Sequence, residues 1–397
     1  MIIPAARRLQ AVEEYYFSKK LAQIRELNQR GHDIINLGIG SPDLAPAPQV
    51  IETLQMAAAR PDAHGYQGYK GVPQLRQAMA TWYAHTYGVT LDPEQEILPL
   101  IGSKEGITHI SLAFLNAADQ VLIPNPGYPA YAAAARMAEA VPVEYQLSGP
   151  HWLPDLAALA RQDLSRVKLM WLNYPHMPTG AVASPGFFAQ VVAFARQHNI
   201  LLCHDNPYSL VLNTQAKPLS LLEYDPAKEV VLELNSLSKS HNMAGWRVGM
   251  LAGAKPYIDT VLKVKSNVDS GTFLPMQLAA AVALALPDTW HQARNAVYAR
   301  RRTLAYTLLA QLGCSVTPGQ EGLFLWAALP PTVTDTEAFI NRLLLEAGVF
   351  LTPGFIFGSA GQGYVRISLC ATEARFAQAL QRVERWGGGV NKLSLKD

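Results

Sequence analysis

Cysteine is scarce: Cys203, Cys314 and Cys370 are the whole supply in 397 residues. Three well-separated thiols make no disulfide frame, and none has the Cys-x-x-Cys spacing of a metal site. That usage fits a reducing compartment, so the expected address is the cytoplasm. Charge of one sign is lacking too, with a net value of +2. Such a balance favours neither nucleic acid nor an anionic membrane as partner. No apolar run reaches the ~18 residues of a membrane span. Between Met1 and Leu27 the apolar centre of a signal peptide is missing, because Arg7, Arg8, Glu13 and Glu14 fall inside that stretch. Sequence repeats and low-complexity tracts are absent as well.

What remains is the profile of a large globular chain. Hydrophobic residues make up 49%, and the length allows two domains around a sizeable core. Residues 10–30 read as an amphipathic helix, with Val12, Tyr16, Leu21, Ile24 and Leu27 on one face and Gly31 as its stop. Pro48 and Pro73 stand where first helical turns begin. Apolar runs at Ile97–Ile101, Gln120–Pro124, Val167–Asn173, Ile200–His204 and Val230–Leu234 read as buried strands. Helical patterns separate several of them, most clearly Pro185–His198 with Ser184 as N-cap. Near-continuous apolar strands alternating with helices predict an α/β fold: a large domain with a mostly parallel sheet flanked by helices. From about Pro287 the pattern changes to an Arg-rich helix, short strands at Gly322–Ala327 and Tyr364–Leu369, and a closing helix. The expected division is an N-terminal segment (1–47) that joins the small domain, a large domain (48–287), and a small α+β domain (288–397).

Polar and glycine-rich clusters follow the predicted strands one after another. They are Gly102-Ser103-Lys104-Glu105-Gly106, Pro126-Gly127-Tyr128, His176-Met177-Pro178-Thr179-Gly180, Asp205-Asn206-Pro207-Tyr208 and Ser236-Leu237-Ser238-Lys239. Ligands bind beyond the carboxyl ends of strands in such sheets. Five clusters on one edge point to one site. Taken singly, each has an ordinary reading. Gly102–Glu105 is also a tight turn before a helix, Tyr128 a packing tyrosine, and Asp205 a turn former.

Lys239 is followed eight residues later by Arg247, within Gly245-Trp246-Arg247-Val248-Gly249. A lysine amine condenses with a carbonyl, while hydroxyls and a guanidinium hold a phosphate. Pyridoxal phosphate has both groups. On this reading Ser103 and Lys104 open a helix whose backbone N–H groups and dipole favour phosphate. Ser236, Ser238 and Arg247 complete the cradle. Tyr128 stacks on the ring. Asp205, a costly buried carboxylate unless paired, meets the protonated ring nitrogen, and Tyr208 reaches the ring oxygen. Ser-x-x-Lys also opens penicillin-type acyl-transfer sites, but neither Lys-Thr-Gly nor Ser-Asp-Asn follows. Gly38-Ile39-Gly40 lacks the third glycine of a nicotinamide-binding turn, and Pro42 interrupts the helix that turn needs.

These motifs resemble the class I/II aminotransferases of fold type I (the aspartate aminotransferase superfamily) along nearly the whole chain. Asn36-Leu37-Gly38-Ile39-Gly40-Ser41-Pro42-Asp43 is similar to that family's N-terminal glycine motif. Tyr66-Gln67-Gly68-Tyr69-Lys70-Gly71 resembles the next, Ser-x-Ser-Lys with Gly-x-Arg-x-Gly is the most specific, and Tyr364-Val365-Arg366-Ile367-Ser368 resembles the C-terminal arginine motif. The resemblance implies transfer of an amino group from an amino acid to a 2-oxo acid by a ping-pong mechanism. It implies that Lys239 is the Schiff-base lysine and proton shuttle, and that Arg366 binds the substrate α-carboxylate. Gly40 is expected to approach that carboxylate through its backbone. Tyr66 is expected to reach the phosphate of a neighbouring subunit, so a homodimer with shared sites follows. No metal is expected.

One position departs from the family pattern. Met177 stands where an asparagine usually precedes Pro-Thr-Gly, and methionine has no donor. The ring oxygen is then left to Tyr208, with Asn173, His176 or water in support. Two rival functions share the fold: β-elimination from cysteine conjugates, and a non-catalytic pyridoxal-phosphate sensor of a transcription regulator. The sensor reading needs a DNA-binding module ahead of the glycine motif, which begins near Asn36. Substrate side-chain contacts are sought among Tyr15, Tyr16, Phe17, Tyr69, Phe324, Trp326, Phe355 and Phe357. No second arginine marks a dicarboxylic substrate, so neutral or broad donors with 2-oxoglutarate or pyruvate are expected.

Overall fold

The computed structural model describes residues 3–9, 16–215 and 217–387. The start of the predicted N-terminal helix and Tyr15 lie outside these residues; the described helix runs Tyr16–Gln29 and ends before Gly31, whose φ is +89°.

A short first strand, β1 (Ile35–Asn36), is followed by the eight strands of the main sheet. These are β2 (Ile97–Leu100), β3 (Gln120–Asn125), β4 (Val141–Ser148), β5 (Leu153–Pro154), β6 (Val167–Leu172), β7 (Leu201–Asp205), β8 (Val231–Ser236) and β9 (Gly249–Gly253). Their spatial order is β2-β9-β8-β7-β6-β3-β4-β5. The run from β8 to β4 is parallel, while β9 opposes both its neighbours and β5 opposes β4. The predicted strands all form, within a residue or two of their expected bounds.

Alternation explains why the strands read as unbroken apolar runs. Leu122, Met170, Leu172, Leu202 and Met250 enter the core on one face. Val121, Ile123, Leu169, Trp171, Cys203 and Leu251 enter the core on the other. Helices cover both faces, so neither side of a central strand meets water. The helix Pro185–His198 forms as predicted: Ser184 Oγ accepts from Phe187 N at 3.1 Å, and Asn199 closes it at φ 54°.

Downstream of the long helix Asp288–Gln311 lie β10 (Ser315–Val316), β11 (Phe324–Ala328), β12 (Val349–Phe350), β13 (Thr352–Pro353) and β14 (Tyr364–Ser368). Four of these form an antiparallel sheet ordered β10-β11-β14-β13, and β12 pairs in parallel with β1. A third core joins Phe17, Ile24, Ile35 and Leu37 to Tyr298, Phe324, Phe350 and Phe376, and it takes in Met177 and Tyr208 from the main sheet's loops. The N-terminal segment is thus packed with the C-terminal part, and the two bodies meet where the main sheet's carboxyl edge carries its polar loops. Among the described residues, no helix is long and apolar enough to cross a membrane.

Candidate active site

Three strand ends come level at that edge. Gly249, the first residue of β9, lies between Leu100 of β2 and Ser236 of β8. Because β9 runs backwards, the loop before it carries Arg247 to the same edge that the other strands reach with their carboxyl ends. A Cβ on Gly249 would lie 2.7 Å from Ser103 N, so glycine is what lets the turn Gly102–Ser103 press against the sheet. Gly102 itself has φ +80°, and a Cβ there would strike the Arg247 guanidinium.

This close packing builds an anion cradle. The helix Ser103–Phe114 begins at Gly102 with no side-chain cap, so its first N–H groups point out toward the cleft edge. Glu105 Oε2 takes the Ile101 N–H at 2.5 Å and steadies the turn. Arg247 Nη1 donates to Ser238 Oγ at 3.2 Å and to Ala244 O at 2.9 Å. Ser236 Oγ accepts from Ser238 N at 3.2 Å, which brings the two serines together.

The cradle forms one end of a cleft of about 440 Å³. Ser103, Lys104, Tyr128, Asp205, Tyr208, Ser236, Ser238, Lys239, Arg247, Gly40 and Arg366 all line it. Tyr66 does not; it is 93% exposed on the surface. Lys239 is half-buried, and its Nζ donates to Gly40 O. Burial pushes its pKa down; Cys370 opposes that shift, while the cations Arg366 and Arg247 add to it. The amine is thereby biased toward its neutral, nucleophilic form.

Asp205 closes β7 at the cleft floor. Burial raises its pKa to about 6, against the hydrogen bond from Tyr131 and the nearby His204, which lower it. Its Oδ2 accepts from Tyr131 OH at 3.0 Å, while its Oδ1 is buried with no partner. Tyr208 sits 8% exposed beside Phe324, with ring centroids 5.9 Å apart, and burial raises its phenol pKa.

Arg366 enters from the other body, on β14 between Trp326 and Thr352. Its guanidinium lies over Phe324 at 3.9 Å and Phe357 at 4.6 Å. Nη2 donates to Gly38 O at 2.9 Å, and Nη1 donates to Met177 Sδ at 3.2 Å. Met177 therefore lines the cleft but faces the arginine with a weak acceptor. His176 is not a cleft residue: its ring is buried against Thr179 Oγ1 at 2.8 Å. Asn173 does line the cleft, yet its amide serves the Asp205 carbonyl at 2.5 Å and the Met177 N–H at 2.7 Å.

Of the aromatics considered for substrate contact, Phe17 and Phe324 line the cleft and Trp326 packs within the C-terminal sheet. Tyr131 and Ser18 line it although the sequence pattern does not mark them. Tyr131 had one signal, its place three residues after Tyr128 at the start of a helix.

The arrangement fits pyridoxal phosphate. An orphaned carboxylate oxygen suits a protonated ring nitrogen, the cradle suits a phosphate, and a primary amine lies in the same cleft as both.

Comparison with known proteins gives the same class. The profile of the family described as aminotransferase class I and II matches residues 32–383. An LL-diaminopimelate aminotransferase of Dehalococcoides mccartyi is 41% identical over 379 residues, 95% of this chain and 97% of that protein. The substrate-bound BacF structure from Bacillus subtilis superposes with a TM-score of 0.92 at 35% identity, covering 97% of this chain and 98% of the other. A probable N-succinyldiaminopimelate aminotransferase of Thermus thermophilus gives 0.87 at 35% identity, covering 93% and 99%. These findings support amino-group transfer and lend nothing to the elimination or sensor readings. The chain belongs to the class I and II aminotransferases, and the protein is an enzyme that transfers an amino group.

Proposed function

We propose that this aminotransferase uses pyridoxal phosphate and moves an amino group from an amino acid to a 2-oxo acid in two half-reactions. The observation that carries the reading is one cleft holding Lys239, the unpartnered Oδ1 of Asp205, the Gly102–Arg247 cradle and Arg366. Bound there, the cofactor would supply an electron-withdrawing ring that holds the electron pair left when a substrate loses its α-proton. The chain supplies the rest. Ser103, Lys104, Ser236, Ser238 and Arg247 hold the phosphate. Tyr128 covers the ring face, Asp205 holds the ring nitrogen protonated, and Tyr208 meets the ring oxygen. Lys239, its pKa lowered by desolvation, anchors the cofactor by its amine. Once displaced by substrate, the same amine carries the α-proton. Arg366 grips the α-carboxylate with its planar fork, beside the backbone of Gly40, and so fixes which bond faces the lysine.

LL-diaminopimelate is the first amino donor to test, supported by the names of relatives that match over almost their full length. A neutral donor is the second reading. It is favoured by the cleft wall of Phe17, Ser18, Leu21 and Ile39, which offers no charge to a distal group. A screen of LL-diaminopimelate, alanine, aromatic amino acids and glutamate against 2-oxoglutarate and pyruvate separates the two.

We also propose a homodimer with shared sites. Tyr66 is 93% exposed, and Val268 at 63% and Phe273 at 42% add apolar surface. That surface suits a second copy, whose cofactor phosphate Tyr66 would reach. The proposed division of the chain is 1–47 with 288–397 against 48–287, and three unpaired cysteines support a cytoplasmic location. Borohydride reduction of the holoenzyme tests the cofactor reading. It should fix a pyridoxyl group on the Lys239 peptide and leave none on Lys239→Ala; wild type that yields no adduct refutes it.

A further inference from the structure

We propose that Tyr131 is a positioning residue for this transfer: its hydroxyl ties Oδ2 of Asp205 and leaves Oδ1 turned to the ring nitrogen of the cofactor. The proposal deepens the pyridoxal-phosphate reading and rests on it.

Tyr131 is the second residue of the helix Ala130–Met137 and is 1% exposed. Its ring lies parallel to that of Trp171, 4.8 Å away at 7°, and edge-on to Tyr128 at 5.7 Å. A ring clamped in this way cannot swing its hydroxyl elsewhere. Burial drives the phenol pKa up, so the group stays a donor throughout the working pH range. On the backbone side, Asn173 Nδ2 donates to the Asp205 carbonyl at 2.5 Å. The aspartate is thus held at its main chain by Asn173, just past the end of β6, and at one carboxylate oxygen by the helix after β3. Without the tyrosine hydroxyl, two buried oxygens would lack partners, and rotation of the carboxylate would be unopposed.

The same bond favours the ionised carboxylate that a protonated ring nitrogen needs. The other titratable groups about Asp205 are Tyr128, Tyr208 and His204. Burial raises the Tyr208 phenol pKa, so that hydroxyl stays neutral at working pH. His204 is committed to Glu233 Oε2 at 2.7 Å and to the Tyr174 carbonyl at 3.1 Å. The Tyr131 hydroxyl bonds the carboxylate directly.

The test is equilibrium binding of pyridoxal phosphate to cofactor-free protein between pH 5 and 9, read by visible absorbance. Wild type, Tyr131→Phe, Asp205→Asn and the double variant are compared, with thermal unfolding as a check on folding. Tyr131→Phe should raise the midpoint of the acid limb by about one pH unit and weaken binding at pH 7 roughly tenfold. In the Asp205→Asn background the same substitution should move no midpoint. An unchanged midpoint and affinity overturn the proposal, and so does a loss of affinity that is equal at every pH, which marks a purely structural role. Wild type that binds no cofactor overturns the cofactor reading instead. Should Tyr131→Phe not fold, 3-fluorotyrosine at position 131 replaces it. A stronger donor there should lower the midpoint, and a midpoint that stays or rises refutes the assignment.

Discussion

Asp205→Asn should make the cofactor-free protein more stable while making it a poorer holoenzyme. Burial raises the Asp205 pKa to about 6 from 3.8. A carboxyl with a raised folded pKa destabilises the fold once the unfolded chain ionises and the folded chain does not. The cost therefore begins near pH 4, grows to about pH 6 and stays constant above it. Wild type should trail the asparagine variant by less than about 1 kcal/mol at pH 4, by about 2 kcal/mol at pH 5 and by about 3 kcal/mol at pH 8. Asparagine keeps an oxygen for the Tyr131 hydroxyl, so that bond survives. Cofactor binding should move the other way, because the variant offers a protonated ring nitrogen no charge; a loss of about 30-fold or more is expected. Urea unfolding of both apo-proteins from pH 4 to 8, with cofactor titrations beside it, reads both effects. A stability gap that is flat across pH, or an asparagine variant that holds cofactor as tightly as wild type, would refute the reasoning.

Arg366→Lys should raise KM for carboxylate substrates by about 30-fold or more while leaving the cofactor's dissociation constant near that of wild type, since a single ammonium cannot reproduce the two-pronged grip. Unaltered KM would remove Arg366 from the substrate site. Met177→Asn adds a donor beside the ring oxygen, and the pH midpoint of the bound cofactor's visible absorbance should fall; an equal or higher midpoint defeats this account. Gly102→Ala forces a Cβ onto the Arg247 guanidinium at a backbone angle of +80°. It should lower stability by about 1–2 kcal/mol and weaken cofactor binding, with inorganic phosphate as competitor on the apo-protein showing the same loss. Full retention of phosphate competition would disconnect that turn from the anion site.

Much of the site was legible because its residues are of rare chemical kind in telling places. A lysine, an arginine and an aspartate at strand ends announce themselves. β9 escaped notice because Gly249-Met250-Leu251-Ala252-Gly253 has glycine at both ends and no β-branched residue. Its glycines serve close approach, and a local pattern cannot show what lies across the sheet. β4 carries a weak strand signal, because Val141, Glu144, Gln146 and Ser148 are exposed and Pro142 interrupts the run. Tyr131 and Asn173 bear on Asp205 through contacts 74 and 32 residues apart in sequence, so no local pattern ties either of them to the aspartate. His176 misleads for the opposite reason: it is a polar residue in a loop near the site, but the fold turns its ring inward to Thr179.

The backward run of β9 has a consequence for how such an enzyme can change. Its reversal seats Arg247 on the rigid framework of eight strands, whereas Arg366 is borne by a separate four-stranded layer. Altered loops or a shifted outer layer can therefore redraw the room given to a substrate side chain without disturbing the grip on phosphate. Selection for a new amino donor and retention of the old cofactor draw on different parts of the polypeptide.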